Sequence, residues 1–111
     1  MIDKLRVSRT IQAMRTVIET QTFQKQAERI WSEEERLGFI NWIAENPLAG
    51  DVIPGVEGAR KVRWVASGRG KRGGARVIYL NVDAREVILL VAVYAKAEQE
   101  NISPDAIRKS V

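Results

Sequence analysis

Seven of the eighteen lysines and arginines in this 111-residue chain fall between residues 60 and 76, and no carboxylate lies between Glu57 and Asp83. The seven are Arg60, Lys61, Arg63, Arg69, Lys71, Arg72 and Arg76. Like charges this close repel by about 1 kcal/mol or more at intermediate dielectric, and the segment holds no acid to neutralise them. An anionic partner would relieve that repulsion. The residue types also narrow the chemistry. The chain has no histidine and no cysteine, which excludes imidazole catalysis, thiol nucleophiles, disulfides and His- or Cys-ligated metal. Acid–base work would fall to Lys, Arg, Tyr or carboxylates. Arginine keeps its proton and suits a phosphate clamp, whereas lysine can lose its proton when crowded by other cations.

Two alternating runs frame these cations and read as a β-hairpin around a Gly-rich loop, residues 67–74. In the first strand, about Arg60–Ala66, Val62 and Trp64 share a face with Arg60, and Lys61 shares the other with Arg63 and Val65. Residues two apart on a strand stand roughly 7 Å apart, so Lys61 and Arg63 point the same way. The next strand, about Ala75–Val82, begins with Arg76. The run VILLVAVYA at Val87–Ala95 is almost continuously apolar and reads as an interior strand covered on both faces, ending at Tyr94 and Lys96.

Upstream, the Thr-rich run at 15–23 predicts a first strand, with a short helical segment over Gln24–Trp31. Ser32 is a good N-cap with Glu35 three residues on, a capping box. The helix it opens carries Leu37, Phe39, Ile40, Trp42, Ile43 and Ala44 on an apolar stripe and ends at Asn46–Pro47. Residues 47–58 are a turn-rich connection. Ser103, Pro104 and Asp105 signal a short final helix anchored by Ile107. The order is β-α-β-β-β-α. It predicts one α+β domain, a small antiparallel sheet of about four strands with the helix on one face and the other face partly open. Residues 1–13 lack a pattern and read as an N-terminal extension to a domain over 14–111, with Met14 a candidate start.

Several motifs have a plainer reading beside the chemical one. Glu33, Glu34 and Glu35 complement a helix N-terminus rather than bind metal. Gly68, Gly70 and Gly73 spell G-x-G-x-x-G, but a dinucleotide site needs a helix next and a strand follows. Trp31, Trp42 and Trp64 could stack on bases, yet two of the three fall on or beside predicted apolar faces, so core packing is expected. Tyr94 has two open readings: a phenol that stacks on a base or shuttles a proton, or a ring that fills the core edge. The net charge of +4 and pI near 9.8 favour a polyanion, and 45% hydrophobic residues suffice for a modest core. No apolar run approaches the ~20 residues of a membrane span, so the cytoplasm is the expected compartment.

The linked runs G-D-x-I-x-G at Gly50–Gly55, R-K-x-R-W at Arg60–Trp64, G-R-G-K-R-G-G-x-R-V-I-Y at Gly68–Tyr79 and Y-A-K at Tyr94–Lys96 resemble the RelE/HigB group of bacterial type II toxins, over about residues 15–107. The resemblance implies a RelE-like fold and a ribosome-dependent mRNA endonuclease (an mRNA interferase) that blocks translation. It implies an antitoxin partner, of the HigA type with a helix-turn-helix. It also implies metal-free cleavage through the RNA 2′-hydroxyl, without a cofactor. Carried over, Lys61, Arg63, Arg76 and Lys96 take the catalytic positions, with Arg60, Arg69, Lys71, Arg72 and Tyr94 binding RNA. Several relatives place a stacking tyrosine nearer the C-terminus, and this chain has none after Tyr94. The alternatives are a nucleic-acid-binding module that does not cut and a ParE-like gyrase-inhibiting toxin.

Overall fold

An apolar run with no polar face must be covered twice, and the strand Val87–Ala95 is. The computed structural model describes residues 14–65, 74–95 and 104–110. In chain order the elements are β1 (Thr16–Glu19), α1 (Gln21–Ile30), α2 (Glu33–Glu45), β2 (Asp51–Val52), β3 (Ala59–Trp64), β4 (Ala75–Val82), β5 (Val87–Ala95) and α3 (Pro104–Ser110). They build one sheet in the order β1-β5-β4-β3-β2. On one face, Phe23 and Ala27 of α1 and Phe39 and Ile43 of α2 pack over Val62, Val77 and Leu90. On the other, Ile107 of α3 packs with Ala59, Ile78, Leu80 and Ala92. Among the described residues no helix is long and apolar enough to cross a membrane.

The α+β class and the boundaries of β4 and β5 are as expected, and two features differ. The sheet has five strands, because Asp51–Val52 pairs with β3 inside the turn-rich connection. Two residues are too short a run to show alternation. The sheet is also mixed, since β1 runs parallel to β5. Adjacency in sequence predicts antiparallel neighbours, but β1 pairs with the strand farthest from it in the chain. Only the two intervening helices, packed across the sheet, allow that.

Thr20 decides where β1 ends. Its hydroxyl accepts from Phe23 N (3.1 Å) and caps α1, which therefore starts at Gln21 rather than Gln24. β-Branched composition suggests strand through Phe23, but the same threonine side chain serves equally as a cap. The second helix begins as its capping box demands, with Ser32 Oγ accepting from Glu35 N and Glu35 Oε1 from Ser32 N. Leu37 is nonetheless 45% exposed, and the buried stripe centres on Phe39 and Ile43. Arg36 bridges the Glu19 carboxylate (2.6 Å) and Glu33 (2.7 Å), tying β1 to α2. The tryptophans pack as expected of core residues: Trp31 lies 5.4 Å from Phe39 and 5.5 Å from Trp64, ring centre to ring centre.

Tyr79 is the polar anchor of this core. Its ring is fully buried, its hydroxyl donates to Pro47 O (2.8 Å), and it accepts from Gly50 N (2.9 Å). A Cβ at position 50 would meet Lys61 O at 2.7 Å and the phenol oxygen at 3.1 Å, so only glycine lets the backbone come this close. Burial pushes the phenol above its ordinary value near 10. The neutral form is therefore the one the fold stabilises. That contribution is complete below about pH 10 and is lost as pH rises through the folded value. Tyr79→Phe should cost about 1–3 kcal/mol in urea unfolding at pH 7, by stranding Gly50 N–H. The variant should also lose the part of the alkaline fall in thermal midpoint that belongs to this phenol.

Candidate functional site

Strand register, more than any single residue, assembles the candidate site. Arg63 of β3 stands opposite Arg76 of β4, and Arg76 stands opposite Tyr94 of β5. Directly opposed residues have Cβ atoms about 5 Å apart and share a face. Arg63, Arg76 and Tyr94 thus form one row across three strands, on the face that carries α3. Lys61 stands two residues from Arg63 on that same face, opposite Ile78. The alternation read from sequence is correct here: Val62 and Trp64 point to the helix-covered side, while Lys61 and Arg63 do not.

Tyr94 reaches this face only because β5 is irregular. Ile78 pairs with Ala92 but Tyr79 pairs with Leu90, so Val91 is an extra residue on β5. In a regular strand Tyr94 would share a face with Leu90, beneath the helices. The bulge reverses the alternation and puts Tyr94 on the side of Ile78 and Ala92. The ring is 3% exposed and packs at the edge of the α3-side core. Of the two readings of this residue, the ring at the core edge is what the structure shows. Its place beside Arg76 follows from the register.

Arg60 sits on the opposite face, across from Tyr79. Its Nη1 donates to Leu48 O (3.3 Å) and to Gly50 O, so it fastens the 48–50 segment beneath the helices and does not join the row. Arg69, Lys71, Arg72 and Lys96 lie outside the described residues, as does the G-x-G-x-x-G motif. Gly74 closes the described end of the hairpin at φ +62°, and a Cβ there would fall 2.6 Å from Val65 Cγ2 and 2.7 Å from Trp64 O. A glycine is therefore required where β4 leaves the loop beside Arg76.

Sequence reasoning missed one residue on this face. Asp51 of β2 stands opposite Lys61. The cationic segment contains no acid along the chain, yet pairing with β2 brings a carboxylate to its border. The signal was hidden in a two-residue strand. The resulting order across the sheet is a carboxylate and an ammonium in one row, then two guanidiniums and a phenol in the next. A guanidinium carries paired N–H donors of the kind that match the oxygens of a phosphodiester.

The sequence matches no family model. Among solved structures, the chain is similar to E. coli toxin RelE in the free state, in a form with two arginines replaced by alanine. The TM-score is 0.62 at 19% identity, covering 86% of this chain and 97% of that one. It is also similar to the intact E. coli RelBE toxin–antitoxin complex, with a TM-score of 0.56 at 19% identity over 77% of this chain and 99% of that one. The fold is that of RelE. The RelE-like sheet accommodates Arg63 directly opposite Arg76, an arrangement that like-charge repulsion opposes. Arg63→Gln should remove that repulsion, so the stability change it causes should be more favourable in low-salt than in high-salt denaturant titrations. A loss of more than about 1 kcal/mol would mark Arg63 as part of the structural framework instead.

Proposed function

We propose that this chain is the toxin of a toxin–antitoxin pair and cuts mRNA on the ribosome. The observation that carries the reading is the row Arg63–Arg76–Tyr94, with Lys61 on the same face, in a sheet of RelE fold. Arg63 and Arg76 are the phosphate clamps, because guanidiniums stay charged and donate in parallel. Lys61 and Lys96 are the groups that exchange protons. The RNA 2′-oxygen attacks the adjacent phosphorus as its proton passes to a base. The bond from phosphorus to the 5′-oxygen breaks, and a proton from a donor completes that leaving group. The products are a 2′,3′-cyclic phosphate and a 5′-hydroxyl. The clamps hold the extra negative charge of the phosphorane, a contribution worth roughly 100-fold or more in rate when one donor is removed.

Without histidine such a site is slow on free RNA, and the ribosome supplies the orientation that raises its rate. The loop cations Arg69, Lys71 and Arg72 extend the RNA contact, and Arg60 holds the sheet edge beneath it. An antitoxin is the proposed partner, supported by the likeness to a toxin–antitoxin complex, and the HigA-like type with a helix-turn-helix rests on the sequence resemblance alone. Work on ribosomes places the protein in the cytoplasm.

In a translation extract with 5′-end mapping, the wild-type chain should create new mRNA ends, and Lys61→Ala or Arg76→Ala should lower their yield by roughly 100-fold. Arrested translation without new ends would overturn the nuclease reading in favour of a module that only binds. Inhibited supercoiling without new ends would favour a gyrase-directed toxin. For binding to single-stranded RNA, Arg63→Gln and Arg76→Gln should each flatten the slope of log affinity against log salt by about 0.7.

A further inference from the structure

The bulge that aims Tyr94 is held from outside its own strand. Strand β1 accompanies β5 only as far as the pair Glu19–Leu90. Beyond that pair the chain turns into α1, and among the described residues no strand covers the outer edge of β5. Its backbone groups are met by α1 and its cap instead. Thr20 N donates to Leu90 O (3.1 Å). Thr20 Oγ1 lies within donating distance of Leu90 O (2.9 Å) and Val91 O (3.2 Å). Gln26 Oε1, part-buried, accepts from Val93 N (2.8 Å). These bonds bracket the extra residue Val91, and the last falls one residue before Tyr94.

We infer that Gln26, with Thr20, is a positioning residue that locks the β5 bulge in register and so keeps Tyr94 beside Arg76 on the cationic face. The physical reason is that a strand can shed a bulge by slipping one residue, which turns every following side chain to the other face. A side-chain hydroxyl at the cap of α1 and a side-chain acceptor on its second turn pin one register, because the slipped one leaves Val93 N–H and the Val91 carbonyl without these partners. Phe23 and Ala27, fully buried on the same helix, hold α1 against β5 so that Thr20 and Gln26 stay within reach. Among the described site residues, Arg63 and Arg76 do not depend on this device, since they sit on strands whose pairing is regular between them.

The test uses the full chain and reads Tyr94 directly. The chain has two tyrosines, so ring-labelled protein gives two sets of resonances, assigned with Tyr94→Phe. In Gln26→Met, which keeps the length but not the acceptor, the Val93 amide should exchange about tenfold faster. The Tyr94 ring resonances should shift while those of Tyr79 hold. Gln26→Glu, which keeps an acceptor oxygen, should restore both. Should Gln26→Met fail to fold, Gln26→Asn, too short to reach Val93, carries the same readout. An accelerated Val93 amide with unmoved Tyr94 resonances would overturn the inference. So would a uniform acceleration of all amides, which marks a merely structural residue. The consequence for cleavage rests on the proposed function: Gln26→Met should lower the yield of new mRNA ends by roughly tenfold to 100-fold, since misplacement near 1 Å costs that much. If the wild-type chain cuts nothing, that reading fails alone, and the resonances still decide the role of Gln26.

Discussion

Burial of β5 on both faces is the constraint from which the rest of this molecule follows. A strand without a polar side can exist only in the middle of a sheet with cover above and below. The two N-terminal helices supply one cover, with Phe23 and Phe39 fully buried. The C-terminal helix, through Ile107, supplies part of the other. Seven residues of helix cannot cover a whole sheet face. Lys61, Arg63 and Arg76 occupy that same face, outside the apolar cluster that α3 seals. Among the described residues, the cationic face is thus a consequence of where α3 stops as much as of composition.

The two faces divide the polar chemistry as well. On the helix-covered side, Tyr79 and Arg60 are each tied to specific partners, whereas Asn81 donates to Pro47 O but keeps a buried Oδ1 without one among the described residues. Tyr79 reaches Pro47 and Gly50, and Arg60 reaches carbonyls of the same segment. This is the pattern expected where an unmet donor or acceptor is costly. On the other side, two guanidiniums are set opposite each other, where their mutual repulsion costs stability. Placing like charges in register makes sense for a surface whose partner is itself densely charged. Natural sites commonly hold such groups at the expense of the free protein's stability.

The β5 bulge joins these two halves. It arises where β1 hands over to α1, so the helix cap and the turn in strand alternation sit within hydrogen-bond distance of one another. A position on the cationic face is therefore decided by residues on the covered face. Bulges at such places commonly serve to re-aim one side chain without disturbing the strands beside it.

Much of this was legible from residue order alone. The capping box at Ser32 and Glu35, the limits of β4 and β5, and the shared face of Lys61 and Arg63 depend on interactions within a few residues, and such signals are written locally. Tertiary structure decided the remainder, for reasons that lie in pairing between distant segments. Nothing near Thr16 says that it will lie parallel to Val87. A two-residue strand carries no period, so Asp51 opposite Lys61 could not be seen. Strict alternation assigns Tyr94 to the wrong side, because the extra residue at Val91 is defined only against the partner strand. The amino-acid sequence by itself determined which cations would stand together on one strand. Only the fold decided what stands across from them, since register is set by the packing of whole faces and not by any neighbour along the chain.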